Sequence, residues 1–512
     1  MAGSSTMNIV LISLATLSTG IISVYAILQA WLIWQFLTKD EVASKKLTIQ
    51  QMQEWPTVLV QLPIYNEGPI VKDMLEAVSK LDYPQDRLSI QVLDDSNDHS
   101  PAITAAVIDK LRRESHINIT HLPRADRQGF KAGALANGMI ADARDSEFIA
   151  IFDADFTPTT DFLRKTIPAF QSSNVALVQT RWAHRNTDES FSSGLMALAL
   201  DNHFVIEQGG RQAAGCFVNF NGTAGVWRRA AIADAGGWSS DSLTEDLDLS
   251  FRAQMAGWEC QYAMEIETLS EIPAVLSSLR TQQFRWTKGS TEATLKLAVP
   301  LLRSNVSLRQ KVVGLLQLGA GIQYIAVLLF GLTALGLHAI APISYLGFYR
   351  ALSVLMTLDT IVIVASYGIS QHTLNKQSTS AKIATAIKTI VFTVFVTGFS
   401  LQNSWAVIDA LMARKSEFVR TPKRTKQAKA LSQFSRFSIA FVCEALLAIT
   451  FVYCAINEFI AWQPQALPLF PILTTYCIAF SGLVILSAAE QFRLVSMKDK
   501  TAAANLSADQ PA

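Results

Sequence analysis

The sequence predicts a doubly wound α/β nucleotide-binding domain set between membrane-spanning helices. Three observations predict it. Half of the 512 residues are hydrophobic and only 17% are charged, below the roughly 25% of an average soluble domain, and the apolar excess is confined to residues 8–37 and the region beyond 312. Between them, residues 50–290 carry charge, Gly and Pro at normal intervals and alternate strand and helix signals. Carboxylates recur at the ends of those strands, where open α/β sheets gather their ligand groups. A block of roughly 240 residues is long enough for a sizeable core.

The first apolar run, Asn8 to Leu37, outlasts a bilayer core at about 1.5 Å per residue. Its start has no charged side chain, whereas Lys39, Lys45 and Lys46 follow it. A cleavable signal would be shorter with a basic start. The positive-inside rule therefore puts the N-terminus outside and the following block in the cytoplasm. Within the block, 57–63 reads as a buried strand, 69–81 as a helix opened by Gly68-Pro69, 88–93 as a second strand ending on Asp94-Asp95, 101–114 as a helix, and 148–152 as a strand ending on Asp153.

The C-terminal third offers apolar segments at 312–338, 349–371, 383–411, 435–461 and 468–490. Counting all as spans would leave the stretch holding Arg414, Lys415, Arg420, Lys423, Arg424, Lys426 and Lys429 outside, against the positive-inside rule. The segment 383–411 is interrupted by Lys388, Gln402, Asn403 and Asp409. Read as an amphipathic helix along the cytoplasmic interface, it restores parity with five spans. A second interfacial helix is expected at 276–300, where Arg280, Arg285, Lys288 and Lys296 interleave with apolar residues. The chain thus divides into a membrane helix and linker (1–48), a cytoplasmic domain (49–275), interfacial helices (276–311), two spans with the interfacial helix and a basic loop (312–430), two further spans (431–492) and a disordered cytoplasmic tail (493–512). The expected setting is a bacterial inner membrane.

A net charge of +1 gives no general attraction to nucleic acid. Five scattered cysteines lack metal-ligand spacing and read as reduced packing residues.

The chemistry lies in four short motifs, the first of which, Asp94-Asp95-Ser96, closes the second strand. Asp153-Ala154-Asp155 follows an apolar strand, so both carboxylates are held at a strand end, where Mg²⁺ or Mn²⁺ could bridge them to a diphosphate. In Thr244-Glu245-Asp246-Leu247-Asp248-Leu249, helical spacing puts Asp248 on a different face from Asp246, and Asp246 is the candidate general base. A capping cluster at a helix start is the competing reading. Gln282, Arg285 and Trp286 stand at i, i+3 and i+4 and share a helix face. Arg285 suits a diphosphate and Trp286 an acceptor sugar, or else the ring anchors an interfacial helix.

With Pro63-Ile64-Tyr65-Asn66-Glu67, Asp94-Asp95-Ser96 and Gly129-Phe130-Lys131-Ala132-Gly133, the set resembles the family 2 processive glycosyltransferases, the group of cellulose, chitin and hyaluronan synthases. Val178 to Trp182 and Asn221 to Trp227 resemble the mannan-synthase branch of the cellulose synthase-like proteins. The resemblance implies a GT-A-like domain of mostly parallel sheet and an inverting hexosyltransferase that polymerises and translocates a β-glycan. It implies nucleotide-sugar contacts from Pro63, Tyr65, Glu67, Asp94, Asp95, Lys131, Gln282 and Arg285. The metal falls to Asp153 and Asp155, the base to Asp246, and the growing β-glycan acceptor to Trp286 and Glu245. Lys131 is alternatively a solvated helix-start lysine. Phe418, Thr421 and Lys423 resemble a gating loop with a proline intervening; a plain basic juxtamembrane loop is the other reading. UDP-glucose is the first expected donor and GDP-mannose the second. The rival function is transfer of a single sugar to a lipid carrier.

Overall fold

The computed structural model describes residues 2–38, 52, 54–115, 117–340, 346–375, 379–414, 438–461 and 469–508. Phe418, Thr421 and Lys423 lie outside the described residues.

Among the described residues, seven strands form one sheet: β1 (Val58–Ile64), β2 (Leu88–Asp94), β3 (Ile119–Pro123), β4 (Phe148–Ile151), β5 (Val175–His184), β6 (Gly225–Arg228) and β7 (Glu259–Ser270), in the order β3-β2-β1-β4-β6-β5-β7. All pairs are parallel except those of β6 with β4 and β5. Near-continuous apolar runs suit strands covered on both faces. On β1, Val58, Val60, Leu62 and Ile64 enter one core layer and Leu59 the other. The second layer includes Phe204, Phe220 and Trp227, each fully buried. In-register pairing of Ile64 with Asp94, and Asp94 with Pro123, brings the carboxyl ends of β1, β2 and β3 to one edge.

Helices of eight residues or more, among the described residues, are α1 (Ala2–Thr38), α2 (Val71–Val78), α3 (Ser100–Ser115), α4 (Phe130–Ile140), α5 (Phe191–Asn202), α6 (Glu245–Met255), α7 (Leu276–Arg303), α8 (Leu308–Leu318), α9 (Ile322–Ile340), α10 (Leu346–Asn375), α11 (Thr379–Gly398), α12 (Ser400–Leu411), α13 (Ser438–Ala461) and α14 (Phe470–Ala508). Among the described residues, five stretches are long and apolar enough to cross a membrane: Thr6–Thr38, Leu308–Ala339, Arg350–Leu374, Ile439–Ile460 and Phe470–Arg493. The C-terminal end of α1 docks on the α/β domain at Gly210, where any β-carbon would stand 2.7 Å from the Leu32 carbonyl oxygen.

Two expectations change. The segment 383–411 is a bent pair, α11 and α12, meeting at 49°. Its polar residues account for the break. Gln402 and Asn403 are buried, and Gln402 exchanges hydrogen bonds with Arg280 of α7, so α12 turns toward that helix. The segment before the pair is tied to α5 by Gln371 donating to Asp201 at 2.6 Å, and the end of the pair is tied to α7 by Lys288 donating to Asp409 at 2.5 Å. The tail also differs, since α14 continues to Ala508 instead of ending near 493. The Ala-rich stretch Thr501 to Ala508 holds neither Gly nor Pro and simply propagates the helix before it.

Candidate active site

The site is organised by the turn Asn221-Gly222-Thr223-Ala224, which feeds β6. Gly222 (φ +85°) and Ala224 (φ +55°) reverse the chain there. The side chain of Gln179 on β5, fully buried, clamps the turn. Its Oε1 accepts from the Asn221 amide at 2.9 Å, and its Nε2 donates to the carbonyls of Thr180, Thr223 and Ala224. Thr180 Oγ1 adds a bond to the Ala224 carbonyl at 2.8 Å.

From this turn three functional groups are placed. Thr223 Oγ1 accepts the Asp153 amide at 2.9 Å. The Gly222 carbonyl accepts from Lys131 Nζ at 2.9 Å, and the same ammonium reaches Asp153 Oδ1 at 2.5 Å. A β-carbon built on Gly222 falls 3.2 Å from Asp246 Oδ2 and 3.5 Å from Lys131 Nζ. Lys131 opens α4 just after Gly129 (φ +73°) and Phe130 (φ +49°); it is no solvated lysine.

Asp246 sits in the first turn of α6 and accepts the Leu247 amide at 2.8 Å. Burial pushes its pKa up and the Glu245 charge adds to this, bringing it to about 7. Burial also raises Glu245, against the opposing charges of Lys131 and Arg285. Burial weakens the charge of Arg285, which Glu245, Asp153 and Asp246 restore in part. Burial acts on Lys131 the same way, but Asp153, Glu245 and Asp246 outweigh it and its pKa rises. Two cations and three carboxylates therefore form one electrostatic unit. Asp248 is elsewhere: its Oδ2 takes the Arg252 guanidinium at 2.6 Å and its Oδ1 meets Lys296 at 3.0 Å. Thr244 makes no side-chain cap, but three carboxylates occupy the first turn and Asp246 accepts the Leu247 amide, so the cluster also serves the helix start.

Asp153 and Asp155 offer hard oxygen donors beside this unit. Among the described residues no group of three or more His, Cys, Asp or Glu could hold a metal alone. The pair fits an ion that completes its coordination with phosphate oxygens and offsets the local carboxylate excess.

At the nucleotide end both strand-end carboxylates have protein partners. Asp94 does not face the cleft: its side chain is fully buried, with Oδ1 on the Ser96 amide and Oδ2 on His121 Nε2 at 2.9 Å. Those bonds hold its carboxyl below the usual range although burial alone would raise it. Asp95 is paired with Arg124 through two bonds of 2.7 and 2.6 Å. A strand-end Asp-Asp motif reads as two ligands, but here both are engaged by basic residues from β3 and the loop after it. Tyr65 stands at the end of β1 with the Arg127 guanidinium 3.3 Å from its ring centroid. Pro63 and Glu67 flank it, partly buried.

On α7, Gln282 is buried with Oε1 lacking a hydrogen-bond partner. Trp286 packs, partly buried, against the cluster of Leu195, Met196, Leu276, Phe395 and Phe399, between α5 and α11. It thus stands between the carboxylates and the membrane helices. Gln179, Thr223, Arg124, Arg127 and His121 had no role in the sequence reading. Thr223 follows Asn221-Gly222, whose turn grammar could have signalled a left-handed turn; nothing local signalled the other four.

Residues 56–289 match the family model described as glycosyltransferase like family 2. The segment is therefore a family 2 glycosyltransferase domain, on a GT-A-like fold. A glucomannan 4-beta-mannosyltransferase of Oryza sativa subsp. japonica is 42% identical over 254 residues, 49% of this chain and 48% of that protein. One of Arabidopsis thaliana is 41% identical over 261 residues, 50% of this chain and 47% of that protein. These relatives bear out the resemblance to the cellulose synthase-like group. The chain spans about half the length of the curated relatives it matches. A solved mannosyltransferase, PcManGT from Pyrobaculum calidifontis in complex with GDP-Man and Mn2+, shares the fold with a TM-score of 0.50 at 17% identity, covering 79% of this chain and 100% of that one. Relatives from plants lend the expected bacterial inner membrane no support.

Proposed function

We propose that the chain is an inverting, processive mannosyltransferase that extends a β-mannan or glucomannan from GDP-mannose and passes the product through its membrane helices. The observation that carries this reading is one turn whose Gly222 backbone borders Asp246 and binds Lys131, which also pairs with Asp153, while its Thr223 holds the Asp153 amide. The named relatives are mannosyltransferases, which moves GDP-mannose ahead of UDP-glucose.

Asp246 takes the proton of the acceptor hydroxyl as that oxygen attacks the anomeric carbon from the face opposite the diphosphate. The carbon–oxygen bond to phosphate breaks, its electron pair leaves with the nucleoside diphosphate, and an α-linked donor gives a β-linked product. Lys131 and Arg285 hold the diphosphate by charge. A divalent ion on Asp153 and Asp155 would supply charge neutralisation of the leaving group. Tyr65, with Pro63 and Glu67, receives the nucleoside, and Asp95 fixes Arg124 beside it. Gln282 and Glu245 line the donor–acceptor junction, and Trp286 stacks on the acceptor.

The membrane arrangement follows from charge. The catalytic domain and C-terminus face the cytoplasm, the N-terminus lies outside, and α11–α12 returns to the side from which it entered, which keeps Arg414 and the basic stretch after it inside. Membranes holding the chain are offered GDP-mannose, UDP-glucose and UDP-N-acetylglucosamine with Mg²⁺ or Mn²⁺, and the product is sized and its linkages analysed. Long β-linked mannosyl chains are expected. Incorporation from UDP-glucose alone would replace the donor, and a single-sugar lipid product would end the polymerase reading.

A further inference from the structure

Immediately after α5 the chain makes one π-helical turn, His203–Gln208. Such turns are rare and mark functional sites more often than chance. Phe204, Val205 and Ile206 are fully buried, which turns the polar residues of the segment toward the Asn219 to Ala224 strip.

The hydrogen bonds there fix their own direction. Gln208 Nε2 donates to the Asn219 carbonyl at 2.7 Å and its Oε1 accepts the Asn219 amide at 3.3 Å, so backbone groups decide how this side chain is turned. Gln208 Nε2 also reaches Asn221 at 2.8 Å, and that atom of Asn221 must be the acceptor, Oδ1. Asn221 Nδ2 therefore faces His203 Nε2, 2.8 Å away, and donates to it. A ring nitrogen that accepts carries no proton, so the proton is on Nδ1, which donates to Glu207 Oε2 at 2.8 Å. Glu207 accepts that proton as a carboxylate, with the Arg211 guanidinium 3.9 Å away.

The root of the turn is tied to the membrane helices. Asn202 Oδ1 accepts from Ser366 Oγ of α10 at 2.5 Å, and that hydroxyl accepts from Gln29 of α1 at 2.6 Å. Its far end is the residue preceding Gly222, whose carbonyl holds Lys131 and whose backbone borders Asp246.

We propose that Glu207, His203 and Asn221 form a positioning relay that holds the Gly222 backbone in register with the base Asp246 and with Lys131, with neutral His203 in its Nδ1–H form as the central member. The relay rests on the transferase reading and adds residues to it. His203 touches no reacting atom. It acts through Asn221, so its loss lets the Gly222 backbone shift against the base Asp246, while Asp153 still holds the Lys131 ammonium in place.

The test compares His203→Leu with His203→Gln in the full chain in membranes or detergent. Glutamine can accept from Asn221 and donate to Glu207, whereas leucine can do neither. His203→Leu should lower kcat on GDP-mannose by about 10- to 100-fold, the range for lost outer-sphere partners, with KM for the donor and Kd for GDP within twofold of the parent. His203→Gln should recover most of the rate. Equal losses in both variants, or a loss that falls on KM and GDP affinity, would overturn the relay. Nitrogen-15 NMR of labelled histidine reads the tautomer directly and needs no turnover. Protonation of Nδ1 alone at pH 7.5 supports the relay, and a proton on Nε2 overturns it. If the parent transfers no sugar from any donor, the functional reading fails while the NMR arm still decides the relay.

Discussion

Asp246 is held where ionisation is costly, and two predictions follow from the sign of that cost. Its pKa is raised to about 7 by burial first and by Glu245 second. The base form is the deprotonated one, so kcat/KM should rise with unit slope up to about pH 7, level off above, and be lost as pH falls through that value. A rate already flat from pH 5.5 to 8 would contradict the assignment. Asp246→Asn should cut kcat by about 10²- to 10⁴-fold while GDP still binds. The same shift runs the other way for stability. A carboxyl with a folded pKa above its unfolded one stabilises the fold only while protonated, and this contribution is lost between the unfolded value and about 7. Asp246→Asn should therefore raise Tm most at pH 7 and above, less as pH falls, and leave it unchanged only below about pH 4, the unfolded carboxyl's range. Gly222 supplies a steric counterpart. A side chain there must adopt φ +85° and crowd Asp246 Oδ2 at 3.2 Å, so Gly222→Ala should slow turnover at least about 10-fold through strain and displacement of the base.

At the scale of the element, α7 is the helix that joins catalysis to membrane. Glu490 of α14 accepts the Leu276 and Ser277 amides at its N-terminus, at 2.6 and 3.1 Å. Arg280 pairs with Glu444 of α13 at 2.6 Å, both side chains essentially buried. Lys288 pairs with Asp409 of α12. Removing one partner of a buried ion pair costs about 3–5 kcal/mol because the other charge is left uncompensated. Glu444→Gln should accordingly lower the melting temperature in detergent steeply, and Arg280→Met combined with Glu444→Leu should recover most of it; additive losses would argue against the pair. The helix itself was legible in the sequence as 276–300, and so was the shared face of Gln282, Arg285 and Trp286. Its partners were not, because Glu444, Asp409 and Glu490 lie over a hundred residues away and read locally as blemishes in apolar segments. The same limit hid Asp94 and Asp95. Their strand end was plain, but His121 and Arg124, which occupy them, come from a neighbouring strand and loop. Only the sheet brings those residues alongside. Likewise β6 could not be anticipated as antiparallel from four residues.

For the whole molecule, the alternation of strand and helix signals and the placing of apolar segments were enough to read an α/β domain between membrane helices, and the motifs added its resemblance to family 2. The pattern could not show how the two parts touch. Those contacts are polar ties, Gln371 to Asp201, Ser366 to Asn202 and Lys288 to Asp409, made by residues that hydropathy alone counts as interruptions. Trp286 sits at this junction, and Trp286→Ala should shorten the polymer while single-sugar transfer persists, as gel-filtration sizing of labelled product would show. Unchanged length would remove the ring from the acceptor path. The three ties on α7 have a mechanical corollary. A helix bolted at its start, at Arg280 and at Lys288 cannot act as a piston, so a product that advances must slide past it. Trp286, about 6 Å along the axis from Gln282, is then a fixed gauge mark against which each added sugar is measured, and the stroke has to be delivered by some other part of the protein.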